Sequence, residues 1–160
     1  MDDEERLTAV GATAVTVALC RAQESRRPHP WFVDPIAEHV AEIAEPARDV
    51  APRPGLVFWI AVRTRFLDEL VTDAVRRGIN QVAILGAGLD ARAFRLDWPA
   101  NVTIFEVDRA PVLALKQRLV TELGLEPRCE RRAVVADVTE PAFTQLLAEQ
   151  GWRSERPTCW

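Results

Sequence analysis

The stretch Gln81-Val82-Ala83-Ile84-Leu85-Gly86-Ala87-Gly88-Leu89-Asp90-Ala91-Arg92 limits the possible folds more than any other part of the chain. A short apolar run breaks at Gly86-Ala87-Gly88, and a polar, helix-compatible segment follows. This pattern reads as a buried parallel strand passing through a tight turn into a helix. Glycine tolerates positive φ, and at Gly86 and Gly88 the missing side chain lets a ligand approach the backbone. Free N–H groups at the mouth of the helix suit an anionic or polar ligand group. Gly86-x-Gly88-x-x-Ala91, with Asp108 about twenty residues on, also fits the dinucleotide fingerprint. The turn therefore indicates a nucleotide-like cofactor before it indicates which one.

From this turn onward strands and helices alternate. Strands are expected at residues 81–85, 102–107 and 132–136, with helices near 90–95, 111–123 and 141–150. Gly124 and Gly151 stop the last two helices, and Pro157-Thr158-Cys159-Trp160 begins a fourth strand. The crossovers are long enough for right-handed βαβ units, so the expected fold class is α/β with three to four parallel strands. The 102–107 strand should lie beside 81–85, with 132–136 on its far side.

The residues before the turn read as helices. A small-residue stripe of Val10, Ala14, Val17 and Ala18 marks a helix over about 7–23 that packs closely on something else. The prolines of Arg26-Arg27-Pro28-His29-Pro30 interrupt it. Asp34 then caps a second helix and Pro35 takes its first position. Its buried face is Ile36, Val40, Ile43 and Ala44. Residues 45–55 read as a loop, and a long helix follows over about 56–77, with Gly78 as its C′ residue. Its apolar stripe is Phe66, Leu67, Leu70, Val71 and Ala74. The expected division is a helical cap region, 1–78, and a cofactor-binding sheet, 79–160.

Composition narrows the function classes. A net charge of −4, with arginines scattered among acids, argues against bulk nucleic-acid binding. No apolar run approaches the roughly 20 residues of a membrane helix. The acidic start, Met1-Asp2-Asp3-Glu4-Glu5, lacks the basic region of a secretory signal, so a cytoplasmic protein is expected. Cys20, Cys129 and Cys159 fit neither a disulfide framework nor zinc spacing, and read as unreactive thiols. His29 and His39 have no partner at metal-ligand spacing, and no metal is expected.

Ligands of open parallel sheets bind at the carboxyl ends of the strands. Three such ends carry acids here: Gly86-Ala87-Gly88 with Asp90, Glu106-Val107-Asp108, and Asp137-Val138. An acid at the second strand end can accept both hydroxyl protons of a ribose, and Asp137 can accept from an exocyclic amine. Glu106 is expected to point away from Asp108, leaving one of the two to face the ribose. Asp90 either serves the site or caps its helix. Arg92 and Arg95 are either surface residues or partners of nearby acids.

Taken together, residues 8–160 resemble the N-terminal half of the leucine carboxyl methyltransferase family. This branch is similar to bacterial S-adenosylmethionine-dependent O-methyltransferases. The matching segments are Thr13-Ala14, Arg21-Ala22-Gln23-Glu24, Asp34-Pro35, Arg63-Thr64-Arg65-Phe66-Leu67-Asp68 and 81–96. They continue with Phe105-Glu106-Val107-Asp108, Lys116, Asp137 and Pro157-Thr158. The resemblance implies a Rossmann-like class I methyltransferase sheet, incomplete in this chain, beneath an N-terminal helical cap. It implies S-adenosyl-L-methionine as cofactor. Arg63 would pair with the methionyl carboxylate, Gly86 and Gly88 would let the cofactor lie on the backbone, and Asp108 would hold the ribose. Asp137 and Val138 would meet the adenine, although the family usually has Asp-Leu there.

The implied reaction is methyl transfer to a carboxyl or hydroxyl oxygen of a small molecule. It needs in-line placement above all, and a carboxylate acceptor, already ionised, needs no general base. No catalytic residue is assigned. An NAD-dependent oxidoreductase is the rival that the glycine turn permits, and a non-catalytic remnant or partner subunit is the rival of another class. Because the family's pattern continues past the Pro-Thr pair, the chain is expected to be either a fragment or an odd short relative, one that turns over poorly alone and self-associates.

Overall fold

The computed structural model describes residues 12–44 and 52–160. Three helices come first: α1 (Ala12–Ser25), α2 (Pro35–Ala44) and α3 (Pro54–Arg76). Then follow β1 (Gln81–Leu85), the single turn α4 (Arg92–Arg95), β2 (Thr103–Asp108), α5 (Ala110–Glu122), β3 (Glu130–Val135), α6 (Phe143–Glu149) and β4 (Thr158–Cys159). All strand pairs are parallel and the order is β3-β2-β1-β4. The α/β class and the expected placing of the second and third strands are borne out. The expected helix over 7–11, with Val10, lies outside the described residues, as do 45–51 of the expected loop.

Strand alternation divides the core into two layers. Val82 and Ile104 pack with Val15, Ala18, Ile36 and Leu115 on one face of the sheet. Ala83, Phe105 and Val107 pack with Val134 and Leu147 on the other. The first cluster is the larger because α1, α2 and α5 all contribute to it, and each fully buried Ile or Phe adds roughly 1.5–3 kcal/mol. Among the described residues no helix is long and apolar enough to cross a membrane.

Local chemistry explains the helix boundaries. Asp34 Oδ1 accepts the Ala37 N–H at 2.9 Å and so caps α2. Its other oxygen takes Arg21 Nε at 2.7 Å, which ties α1 to the start of α2. Gly78, at φ +95°, follows the C-cap of α3, as the sequence predicts. The start of α3 differs from expectation: the helix includes Pro54 and Gly55, because proline costs nothing at a first helical position, where no N–H partner is required.

The buried face of α3 also differs. It consists of Ile60, Ala61, Thr64, Asp68 and Val71, whereas Phe66 and Leu70 are exposed. Asp68 faces inward, where Arg92 and Arg95 neutralise it, and Ile60, Ala61 and Val71 supply the apolar contacts of the same face.

Candidate functional site

The turn between β1 and α4 is held from the β2 side. The Ala87 N–H donates to the Val107 carbonyl at 3.0 Å, and the Gly88 N–H donates to Asp108 Oδ2 at 2.7 Å. Asp108 Oδ1 accepts the Arg109 N–H at 2.8 Å. Each carboxylate oxygen keeps a second lone pair, so Asp108 can hold the turn and still accept hydroxyl groups. From the other side, buried Arg21 donates Nη2 to the Leu89 carbonyl at 2.7 Å. The turn is thus fixed between a strand end and the first helix.

Both glycines have positive φ, +65° at Gly86 and +50° at Gly88. A Cβ on Gly88 would lie 3.8 Å from the Ala14 Cβ, an ordinary contact, and one on Gly86 would meet nothing within 4 Å. Backbone conformation therefore requires glycine here, and crowding by the protein does not. Gly88→Ala should lose about 1–2 kcal/mol of stability from the left-handed conformation alone. Denaturant unfolding measures it, and a variant as stable as the parent would mean that the turn readily adopts another shape.

Above the turn lies a cavity of about 550 Å³, lined among others by Ala14, Arg21, Arg63, Gly86, Gly88 and Asp108. The structure thus brings four of the six expected cofactor residues to one cavity. Among the described residues Arg63 has neither ion-pair nor hydrogen-bond partner, although it is a cation on a cavity wall. Asp137 and Val138 are not part of this lining. They follow β3 and are exposed, and Asp137 Oδ1 accepts the Thr139 hydroxyl at 2.6 Å and its N–H at 2.9 Å. Those two bonds hold the Asp137 carboxyl below its ordinary range.

Glu106 is separated from Asp108 by depth. The expectation that the two point apart is corrected, since residues two apart along a strand share a face. Glu106 is fully buried and meets Lys116 Nζ at 2.7 Å and Arg131 at 2.9 Å, whereas Asp108 sits at the strand end, beside the cavity. Burial lowers the Lys116 pKa, and the charges of Glu106 and Asp90 oppose that fall.

Asp90, Arg92 and Arg95 form a network with Asp68. Asp68 Oδ1 accepts Arg92 Nε at 2.7 Å and Arg95 Nη2 at 2.6 Å. Asp90 Oδ1 accepts the Arg92 N–H at 2.8 Å, and Asp90 Oδ2 contacts Arg92 Nη1. Burial works against the Asp90 charge, but Arg92, Lys116 and Arg21 together prevail and hold its pKa at about 2. Arg21 and Asp68 were given no role from the sequence. The available signals were an arginine inside a small-residue helix and an acid inside an apolar stripe.

The three thiols are free, and burial raises the pKa of each, that of Cys129 to about 11. Raised thiol pKa values fit the expected lack of reactivity.

A family model described as leucine carboxyl methyltransferase matches residues 14–160. A proposed S-adenosyl-L-methionine-dependent methyltransferase of Parafrankia sp. (strain EAN1pec) is 41% identical over 167 residues, spanning 98% of this chain and 54% of that protein. A protein of the same description from Mycolicibacterium smegmatis (strain ATCC 700084 / mc(2)155) is 39% identical over 173 residues, spanning 99% of this chain and 58% of its own length. The chain spans a little over half the length of these relatives.

Proposed function

The chain belongs to the leucine carboxyl methyltransferase family, and from that premise we propose that its glycine-turn cavity is the S-adenosylmethionine site of an O-methyltransferase. The observation that carries this reading is the meeting of Arg63, Gly86, Gly88 and Asp108 at one cavity, with Arg63 unpaired. A free guanidinium suits a carboxylate through a charge-assisted bond. In this reading Arg63 binds the methionyl carboxylate, Asp108 accepts the ribose hydroxyls, and Gly86 and Gly88 admit the cofactor to the backbone. Asp137 and Val138 border the adenine beyond the cavity.

When bound, S-adenosylmethionine supplies a methyl group on an electrophilic sulfur. The residues of this chain bind and orient it, and proximity to the acceptor oxygen accounts for much of the acceleration. The acceptor in this reading is a carboxyl or hydroxyl group of a small molecule. A nicotinamide cofactor also satisfies the glycine turn, and its pyrophosphate suits a guanidinium, but the family match favours S-adenosylmethionine.

Isothermal calorimetry on the protein with S-adenosylmethionine and with NAD tests the reading. The expected result is saturable binding of S-adenosylmethionine and none of NAD. Tight NAD binding, or no heat from S-adenosylmethionine, would overturn it.

A further inference from the structure

Arg63 projects from α3, while the glycine turn belongs to the sheet, so a ligand spanning both depends on how the helix is seated. Arg92 supplies the connection. Its Nη2 donates to the Thr64 carbonyl at 3.3 Å and its Nε to Asp68 Oδ1 at 2.7 Å, which grips α3 at two points one helical turn apart. The same guanidinium contacts Asp90, two residues beyond Gly88. Arg95 shares the Asp68 oxygen at 2.6 Å, and Trp98 Nε1 donates to the Arg92 carbonyl at 2.8 Å. Asp68 is 7% exposed and does not line the glycine-turn cavity, whereas Arg92 does.

We propose that Asp68 is a positioning residue: through Arg92 it sets the distance between Arg63 and the glycine turn, and so the grip on the amino-acid end of the ligand. This rests on the reading that Arg63 binds the methionyl carboxylate. Two carboxylates and two guanidinium groups make up the cluster, so removing one negative charge leaves a buried cation free to re-aim. Arg92 then turns toward Asp90 and keeps only the longer bond to the Thr64 carbonyl on α3, so the segment bearing Arg63 loses the shorter of its two ties. The adenosine end of the ligand, which depends on β2 and the turn, is unaffected.

Two ligands that differ only at the amino-acid end separate this from a general loss of structure. S-adenosylhomocysteine carries the amino-acid group, and 5′-methylthioadenosine lacks it. In Asp68→Asn, calorimetry should show S-adenosylhomocysteine binding weakened about tenfold or more, with 5′-methylthioadenosine unchanged. Combined with Arg63→Ala, the Asp68→Asn effect should largely vanish, because both changes remove the same contact. Equal weakening of both ligands by Asp68→Asn, or loss of all binding, would make Asp68 a merely structural residue and overturn the inference. If Arg63→Ala weakens only S-adenosylhomocysteine while Asp68→Asn weakens neither ligand, the inference fails and the Arg63 reading stands. If Arg63→Ala itself leaves S-adenosylhomocysteine binding unchanged, the Arg63 reading fails and the inference falls with it.

Discussion

Glu106→Ala should destabilise the protein by about 3–5 kcal/mol, the usual cost of breaking a buried ion pair from one side. Glu106 is fully buried between Lys116 and Arg131, and Lys116 is equally inaccessible. The Phe94 ring lies 6.0 Å from Lys116 Nζ and 5.2 Å from the Arg131 guanidinium, and offers each cation a π face. That face cannot replace a full countercharge. Arg131 can swing toward solvent, but Lys116 cannot, so the variant holds a buried ammonium or sheds its proton. The melting temperature should fall by roughly 10 °C in a chain of this size.

The sign with pH follows from linkage. Burial already lowers the folded-state Lys116 pKa, and losing Glu106 lowers it further. Between that value and the unfolded one the unfolded chain binds more protons, so the variant gains stability as pH rises toward about 10.4. Its deficit against the parent should shrink on that limb. The double change Glu106→Leu with Lys116→Met should recover much of the loss, since apolar replacement of a buried pair is often neutral. Thermal melts across pH check all three. A Glu106→Ala protein within about 1 kcal/mol of the parent, far below the range for a broken buried pair, would mean that water reaches the cluster.

Asp108→Ala should weaken S-adenosylmethionine binding tenfold to a hundredfold or more, at roughly 1.5–3 kcal/mol for each hydrogen bond to a charged group. The carboxylate also accepts the Gly88 N–H, so part of the loss comes through the turn. Asp108→Asn separates the parts, because its amide oxygen can still take that N–H while the charge is gone. Calorimetry should place Asp108→Asn between the parent and Asp108→Ala. Unchanged affinity in both variants would remove Asp108 from the site.

What could be read in the sequence was local or periodic. The Gly86-Ala87-Gly88 turn follows from backbone conformation, and the parallel sheet from strands alternating with helices long enough to cross over. Asp34 and Pro35 announced the start of α2, because capping involves only near neighbours. The rotation of α3 was not legible. Phe66 and Leu70 make a better apolar stripe than Thr64 and Asp68, and the partners that let Asp68 face inward, Arg92 and Arg95, are distant in sequence. Arg21 was hidden for the same reason, since its acceptor, the Leu89 carbonyl, lies 68 residues away and is a backbone atom that no side-chain pattern encodes. Long-range ion pairs and side chain–backbone bonds are fixed by the tertiary fold, and spacing carries no trace of them.

The pairing of β1 bears on how the turn is carried. β4 flanks β1 only at Gln81 and Val82, whereas β2 accompanies β1 from Gln81 to Leu85. Past Val82, no described strand lies on the β4 flank, and Leu85 is exposed. The pairing with β2, unbroken from Gln81 to Leu85, should keep amide exchange slow on that side of β1. The glycine turn that follows is held by Asp108 on one side and by Arg21 on the other. A ligand that bridges Asp108 and Arg63 would add α3 to those two ties without moving the sheet beneath it.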